Sequence, residues 1–148
     1  MIRHGDFTVT IDRPIEAVFE FLADGENDKR FSRRIIEINK TTDGPVGVGT
    51  VYRSKARDLG RTATHDIEIT AFERPTLIRW RELTTGPVVI ADGGNALRDV
   101  GGMTALTFHG DLQGRGLGNL ILAFASSRVR SGFPRFAQSI KETIESSA

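Results

Sequence analysis

Phe7-Thr8-Val9-Thr10-Ile11-Asp12-Arg13-Pro14-Ile15-Glu16-Ala17-Val18-Phe19-Glu20-Phe21-Leu22 changes its hydrophobic period once, and that change decides how the chain is read. Phe7, Val9 and Ile11 alternate with polar residues and so share one face of a short strand. Asp12 then offers an N-cap, and Pro14 falls in a first helical turn, where a missing N–H costs nothing. Ile15, Val18, Phe19 and Leu22 follow at helical spacing, a single apolar stripe expected to end near Asp24-Gly25. Glu26 to Phe31 has room for one further short helical turn.

Beyond this entry the period returns to two. Strands are predicted near 34–41, over 50–57 and 62–72, over 77–83, more weakly over 88–98 with an interruption at Gly93-Gly94, and over 103–112. Between them stand turn residues: Asp43-Gly44-Pro45, Glu73-Arg74-Pro75-Thr76, Gly86-Pro87 and Gly101-Gly102. The last third is helical, with Leu117, Leu120, Ile121 and Phe124 continued by Val129, Phe133, Phe136, Ile140 and Ile144. Pro134 removes a backbone donor there, so a kink is expected near Ser131-Gly132. Short turns make the strands antiparallel. Their apolar face needs a cover, which the long C-terminal helix alone can supply. The expected fold is therefore α+β, a curved antiparallel sheet of about seven strands wrapped around a long C-terminal helix, a helix-grip arrangement filling 1–148 as one domain.

Composition narrows the function. The 148 residues contain no cysteine, which excludes disulfides, thiolate metal sites and thiol nucleophiles. Twenty basic against nineteen acidic residues, a net charge of +1, give no long-range pull on nucleic acid or on an anionic membrane. No apolar run approaches the ~20 residues that span a bilayer, so membrane insertion is not expected. The polar start Met1-Ile2-Arg3-His4-Gly5-Asp6 is unlike a signal peptide, and the expected location is cytoplasmic. Asn39-Lys40-Thr41 matches the N-glycosylation pattern without the secretory context that would give it meaning.

Four features carry a family resemblance: Ile11-Asp12-Arg13-Pro14-Ile15-Glu16-Ala17-Val18-Phe19; Gly47-Val48-Gly49-Thr50 opening a strand with Tyr52; Phe72-Glu73-Arg74-Pro75 followed by Ile78-Arg79-Trp80; and Gly101-Gly102-Met103-Thr104 before the last strand and helix. In this order they resemble the START/birch-allergen-like superfamily, SRPBCC, and within it the polyketide cyclase/dehydrase and lipid-transport group. One departure is Phe31-Ser32, where members often carry Trp-Ser. The resemblance implies the helix-grip fold and a small hydrophobic ligand, of lipid, isoprenoid or aromatic polyketide-like kind. It implies no catalytic residue, since the superfamily shares no catalytic motif.

Strand parity selects the candidate pocket. Ile67 and His65 share one face of their strand, Trp80 and Glu82 one face of theirs. Tyr52 and Ser54 lie opposite a charged parity, and Phe108 looks inward from the last strand. With Leu117, Ile121 and Phe124 from the helix, these residues compose an apolar pocket with a few polar points. His65 is a candidate acid/base or a donor to a ligand carbonyl, or else a strand-end histidine near the mouth. Asp66 cannot orient it, because adjacent strand residues face opposite ways. Glu82, if inside, would bind a ligand hydroxyl or act as an acid; fraying near Thr84-Thr85-Gly86 favours a place at the rim.

Other chemistries are poorly supported. His4, His65 and His109 share no metal-ligand spacing, so no metal is expected, and no cofactor. Gly114-Arg115-Gly116-Leu117-Gly118 lacks the dinucleotide spacing and a following strand, so its glycines read as a loop that flexes to admit a ligand. The apolar stripe of the C-terminal helix is needed to close the sheet, which argues against its lying on a membrane. The leading expectation is thus binding or transport of a small hydrophobic molecule by a monomer or homodimer. A cyclase/dehydratase-type enzyme using the same pocket is the alternative.

Overall fold

In a computed structural model of the chain, the alternation of Phe7, Val9 and Ile11 belongs to strand β1, Ile2–Ile11. The structure describes residues 2–58 and 60–147, with all side chains except those of residues 2–4, 58, 126, 127 and 129; the readings of His4 and Val129 therefore lie outside the described side chains. Helix α1, Ile15–Ala23, buries Val18, Phe19, Leu22 and Ala23, as its stripe requires. Asp12 does not cap it. Pro14 is the N-cap, without a side-chain hydrogen bond, and the Asp12 N–H donates instead to the Glu145 carboxylate at 2.8 Å. A 3-10 turn, Gly25–Arg30, follows.

Strands β2 (Ile35–Lys40), β3 (Val51–Asp58), β4 (Arg61–Glu73), β5 (Leu77–Glu82), β6 (Val88–Val100) and β7 (Met103–Gly114) complete one sheet of seven strands in the order β1-β7-β6-β5-β4-β3-β2. Each pairing is antiparallel. Gly93-Gly94 does not interrupt β6. A Cβ on Gly93 would come within 2.4 Å of the Trp80 ring, and one on Gly94 within 2.6 Å of the His109 ring. The strand continues because neighbouring side chains occupy the space a side chain would need. The register shifts fall instead between Ile35 and Glu37, Ile69 and Ala71, and Ile90 and Asp92.

Helix α2, Gly118–Ser146, runs through Pro134 as one element across the stretch where a kink near Ser131-Gly132 is expected. Continuity has a geometric consequence. A helix turns about 100° per residue, so Phe124 and Phe133, nine residues apart, point in opposite directions. Phe133 meets Phe7 of β1 at 5.9 Å, and Leu122, Ala137, Ile140 and Ile144 are buried. Leu117, Leu120 and Phe124 are exposed. The core is the layer between the inner sheet face, α1 and the C-terminal two thirds of α2, centred on Ile11, Phe19, Leu106 and Ile140, each at most 1% exposed. Each such side chain contributes roughly 1.5–3 kcal/mol by leaving water. Among the described residues no helix is long and apolar enough to cross a membrane.

Candidate functional site

Register brings the predicted polar positions together. Tyr52 stands opposite Ile67 and Ser54 opposite His65, while Ile67 stands opposite Glu82 and Ile69 opposite Trp80. All therefore share the inner face. His65 and Glu82 are diagonal neighbours across β4 and β5, a separation that long side chains bridge. His65 Nδ1 lies 2.6 Å from Glu82 Oε2, with the two side chains 16% and 4% exposed.

The Glu82 side chain is thus largely buried, although the residue stands at the end of β5. The reason lies in the sheet: the β5–β6 ladder ends at Trp80 opposite Gly93, which leaves Ile90 outside that ladder. Glu82 Oε1 accepts the Ile90 N–H at 3.0 Å. Each carboxylate oxygen so has a donor, the condition under which a buried carboxylate is tolerated. Where the carboxylate is ionised it can only accept, and the proton of this contact then sits on His65 Nδ1. Asp66 points the other way and pairs with Arg53 at 2.9 Å; the hydrogen bond from Arg53 holds its carboxyl below the usual range.

The remaining candidates divide. The hydroxyl of buried Tyr52 accepts from the Gly25 N–H at 3.2 Å and so ties β3 to the 3-10 turn; burial pushes the phenol's pKa up. Ser54 is buried beside His65. Trp80 meets Phe108 at 6.0 Å, and Phe108 stacks on Phe7 at 5.2 Å and meets Phe136 edge-on at 5.4 Å, so these aromatic rings pack mainly on one another. Ile67 and Ile121 are half-buried. Leu117 and Phe124 do not line the interior at all: they are 77% and 82% exposed, because the unbroken α2 turns their stripe to solvent. Leu122, at 1%, takes the inward place.

Two features escaped the sequence reading. Asn95 lies on the inner face between Ile78 and Phe108, 7% exposed, and its Oδ1 has no hydrogen-bond partner among the described residues. Its parity with Leu97 was the available signal, hidden by the supposed break at Gly93-Gly94. The second is a cleft of about 220 Å³ where β5 and β6 part, lined by Glu82, Leu83, Thr84, Ile90, Gln113 and Arg115. Beside it the Gly114–Gly118 turn packs against the β5–β6 loop. A Cβ on buried Gly118 would fall 1.7 Å from the Pro87 carbonyl oxygen, and the Arg115 N–H donates to that oxygen at 2.8 Å; the glycine is there for close backbone approach.

The outer face is a ladder of ion pairs: Arg53 with Asp66, Arg81 with Glu68, and Arg79 with Asp92, which also meets His109 at 3.2 Å. Among the described residues no group of three or more His, Asp or Glu side chains is arranged to hold a metal.

Comparison with known proteins gives three findings. The model of the family described as "Polyketide cyclase / dehydrase and lipid transport" matches residues 4–145. No curated protein matches in sequence. Among solved structures, the chain is similar to a Streptomyces aromatase/cyclase, Zhui (20% identity, TM-score 0.76, 98% of this chain and 92% of that one). It is similar also to the Thermus thermophilus protein TTHA0849 (14%, 0.78, 96% and 97%) and to Ara h 8.0201 (16%, 0.70, 97% and 98%). At these identities the likeness is one of fold.

Proposed function

The chain belongs to the polyketide cyclase/dehydrase and lipid-transport family, and on that premise we propose that it binds or carries a small, largely apolar molecule between the inner sheet face and α2. A lipid, an isoprenoid and an aromatic polyketide-like compound all fit this description. The observation that supports the reading is the buried His65–Glu82 pair, set among Ile67, Ile69 and Trp80 on an otherwise apolar face. A polar pair in such a place is costly to keep unless it has work there. In this reading the ligand's apolar body lies against Trp80 and Phe108. Its hydroxyl or carbonyl meets the imidazole, which Glu82 holds in one tautomer and orientation.

A second reading rests on the same geometry. A histidine whose Nδ1–H is held by a carboxylate is arranged as a general base through Nε2, as a cyclase or dehydratase that removes a proton from a bound substrate requires. The similarity to a structure named as an aromatase/cyclase supports this reading for the fold, not for the residue.

Native mass spectrometry of freshly purified protein, before and after denaturing extraction, tests the proposal. The expected result is an added mass released on denaturation and lost in a Trp80→Ala variant. A clean apo mass, with no uptake of an added aromatic or fatty-acid probe, overturns it. With ligand in hand, His65→Ala separates the readings: binding kept with turnover abolished identifies the enzyme, and a loss of binding alone identifies the carrier.

A further inference from the structure

The apolar stripe that α2 turns outward has the composition of a lipid-docking surface, and we propose that these first turns seat the protein on an anionic membrane. The proposal stands apart from the ligand reading above and does not need it. Leu117, Leu120 and Phe124 are 77%, 59% and 82% exposed. They sit at helical spacing on one face, opposite the stripe of Leu122, Phe133, Ile140 and Ile144 that packs on the sheet. Their side chains are therefore a second apolar face, left over after the core is complete.

Charge selects the occupant. From residue 112 to 141 the chain carries Arg115, Arg128, Arg130, Arg135 and Lys141 and no carboxylate. The rest of the chain then holds fifteen cations against nineteen carboxylates, so the near-neutral total conceals a strongly one-sided segment. Arg115, Arg128, Arg130 and Arg135 are all exposed. Arg128 follows Phe124 by one turn on the same face, and Arg135 follows by two more. Arginine stems can run along apolar surface while their guanidinium groups reach lipid phosphates.

A second copy of the chain fits less well. A two-fold pairing of the stripe would bring like arginines together with no carboxylate in the segment to answer them. Three side chains also fall far short of the ~800 Å² per partner of a stable interface, whereas they suffice to enter the headgroup boundary of a bilayer. The Gly118 approach to Pro87 fixes this helix end beside the β5–β6 loop and the cleft that Arg115 lines. A docked protein would hold that cleft, with Leu83 44% exposed at its edge, against the lipid.

Flotation of the full chain with phosphatidylcholine vesicles, with and without phosphatidylserine, tests this. The expected result is flotation with the serine-containing vesicles only, weakening as salt rises. Phe124→Glu and, separately, Leu120→Glu should abolish it, and Arg128→Ala should weaken it about fivefold. All three positions are exposed, so circular dichroism and melting should stay as in the parent. Absence of flotation with phosphatidylserine, or flotation indifferent to Phe124→Glu, overturns the proposal. So does a concentration-dependent dimer that Phe124→Glu dissociates, which would assign the stripe to self-association.

Discussion

Among the described residues the sheet carries a histidine–carboxylate pair on each face, and the two differ in nearly every physical respect. His65–Glu82 spans 2.6 Å with side chains 16% and 4% exposed. His109–Asp92 spans 3.2 Å at 25% and 28%, and Asp92 is shared with Arg79. In the outer pair water and a guanidinium can each replace the imidazole, and Arg79 keeps the Asp92 carboxyl below its usual range against the opposing effect of burial. In the inner pair the Glu82 oxygens answer His65 and the Ile90 N–H. The same two side-chain types are thus an exchangeable surface contact on one face and a committed buried one on the other.

Truncation should separate them most strongly. Glu82→Ala leaves the His65 ring nitrogen and the Ile90 N–H without their acceptor in a dry place, at a cost of about 3 kcal/mol. Asp92→Ala should cost about 0.5 kcal/mol, as exposed ion pairs do. Urea denaturation measures both. The double variant His65→Ala/Glu82→Ala should lose less than the two singles together, since the orphaned groups then vanish in part. Equal losses for Glu82→Ala and Asp92→Ala would break the comparison.

The glycines beneath the two faces give a finer probe. A Cβ at Gly93 points into the Trp80 indole, and one at Gly94 meets the His109 ring and Arg79 Cγ. Trp80 is held by Phe108 and the inner packing, so Gly93→Ala should cost about 1–3 kcal/mol, the usual range for overpacking. His109 and Arg79 lie on the solvated side and can move aside, so Gly94→Ala should cost clearly less. A larger loss for Gly94→Ala would mean that the outer ladder is the stiffer of the two.

How much of this was readable beforehand follows from what each feature depends on. The seven strands and two helices rest on local periods, which a sequence displays. So does the shared inner parity of Tyr52, Ser54, Ile67, His65 and Trp80. The His65–Glu82 bond was not readable, because it depends on cross-strand register. Nor was the burial of Glu82, which depends on where the β5–β6 ladder ends and on the Ile90 N–H beyond it. The outward stripe of Leu117, Leu120 and Phe124 was misread for another reason: it was read as continuing into the Phe133–Ile144 stripe, and a helix that runs on through Pro134 sets the two half a turn apart. Asn95 was lost to the glycines before it, which look like a break in sequence and are spaces filled by neighbours in the structure.

A third carboxylate sharpens the comparison. Asp28, on the 3-10 turn beside Tyr52, has no imidazole to share a proton with; burial first, and the charge of Asp24 second, raise its pKa from 3.8 to about 7. The sign follows from proton counting. Below the unfolded value of 3.8 the carboxyl is protonated in both states, and stability is at its fullest. Between there and about 7 the unfolded chain has released the proton while the folded chain still holds it, so stability falls as pH rises. Above that range both states are ionised, and the loss is complete. Asp28→Asn should therefore leave stability unchanged in acid, raise it at neutral pH, and flatten the slope between. Denaturant titrations at several pH values measure this directly. A slope that survives Asp28→Asn would mean that another group carries it, and that a half-buried carboxylate without a histidine is as comfortable here as Glu82 is with one.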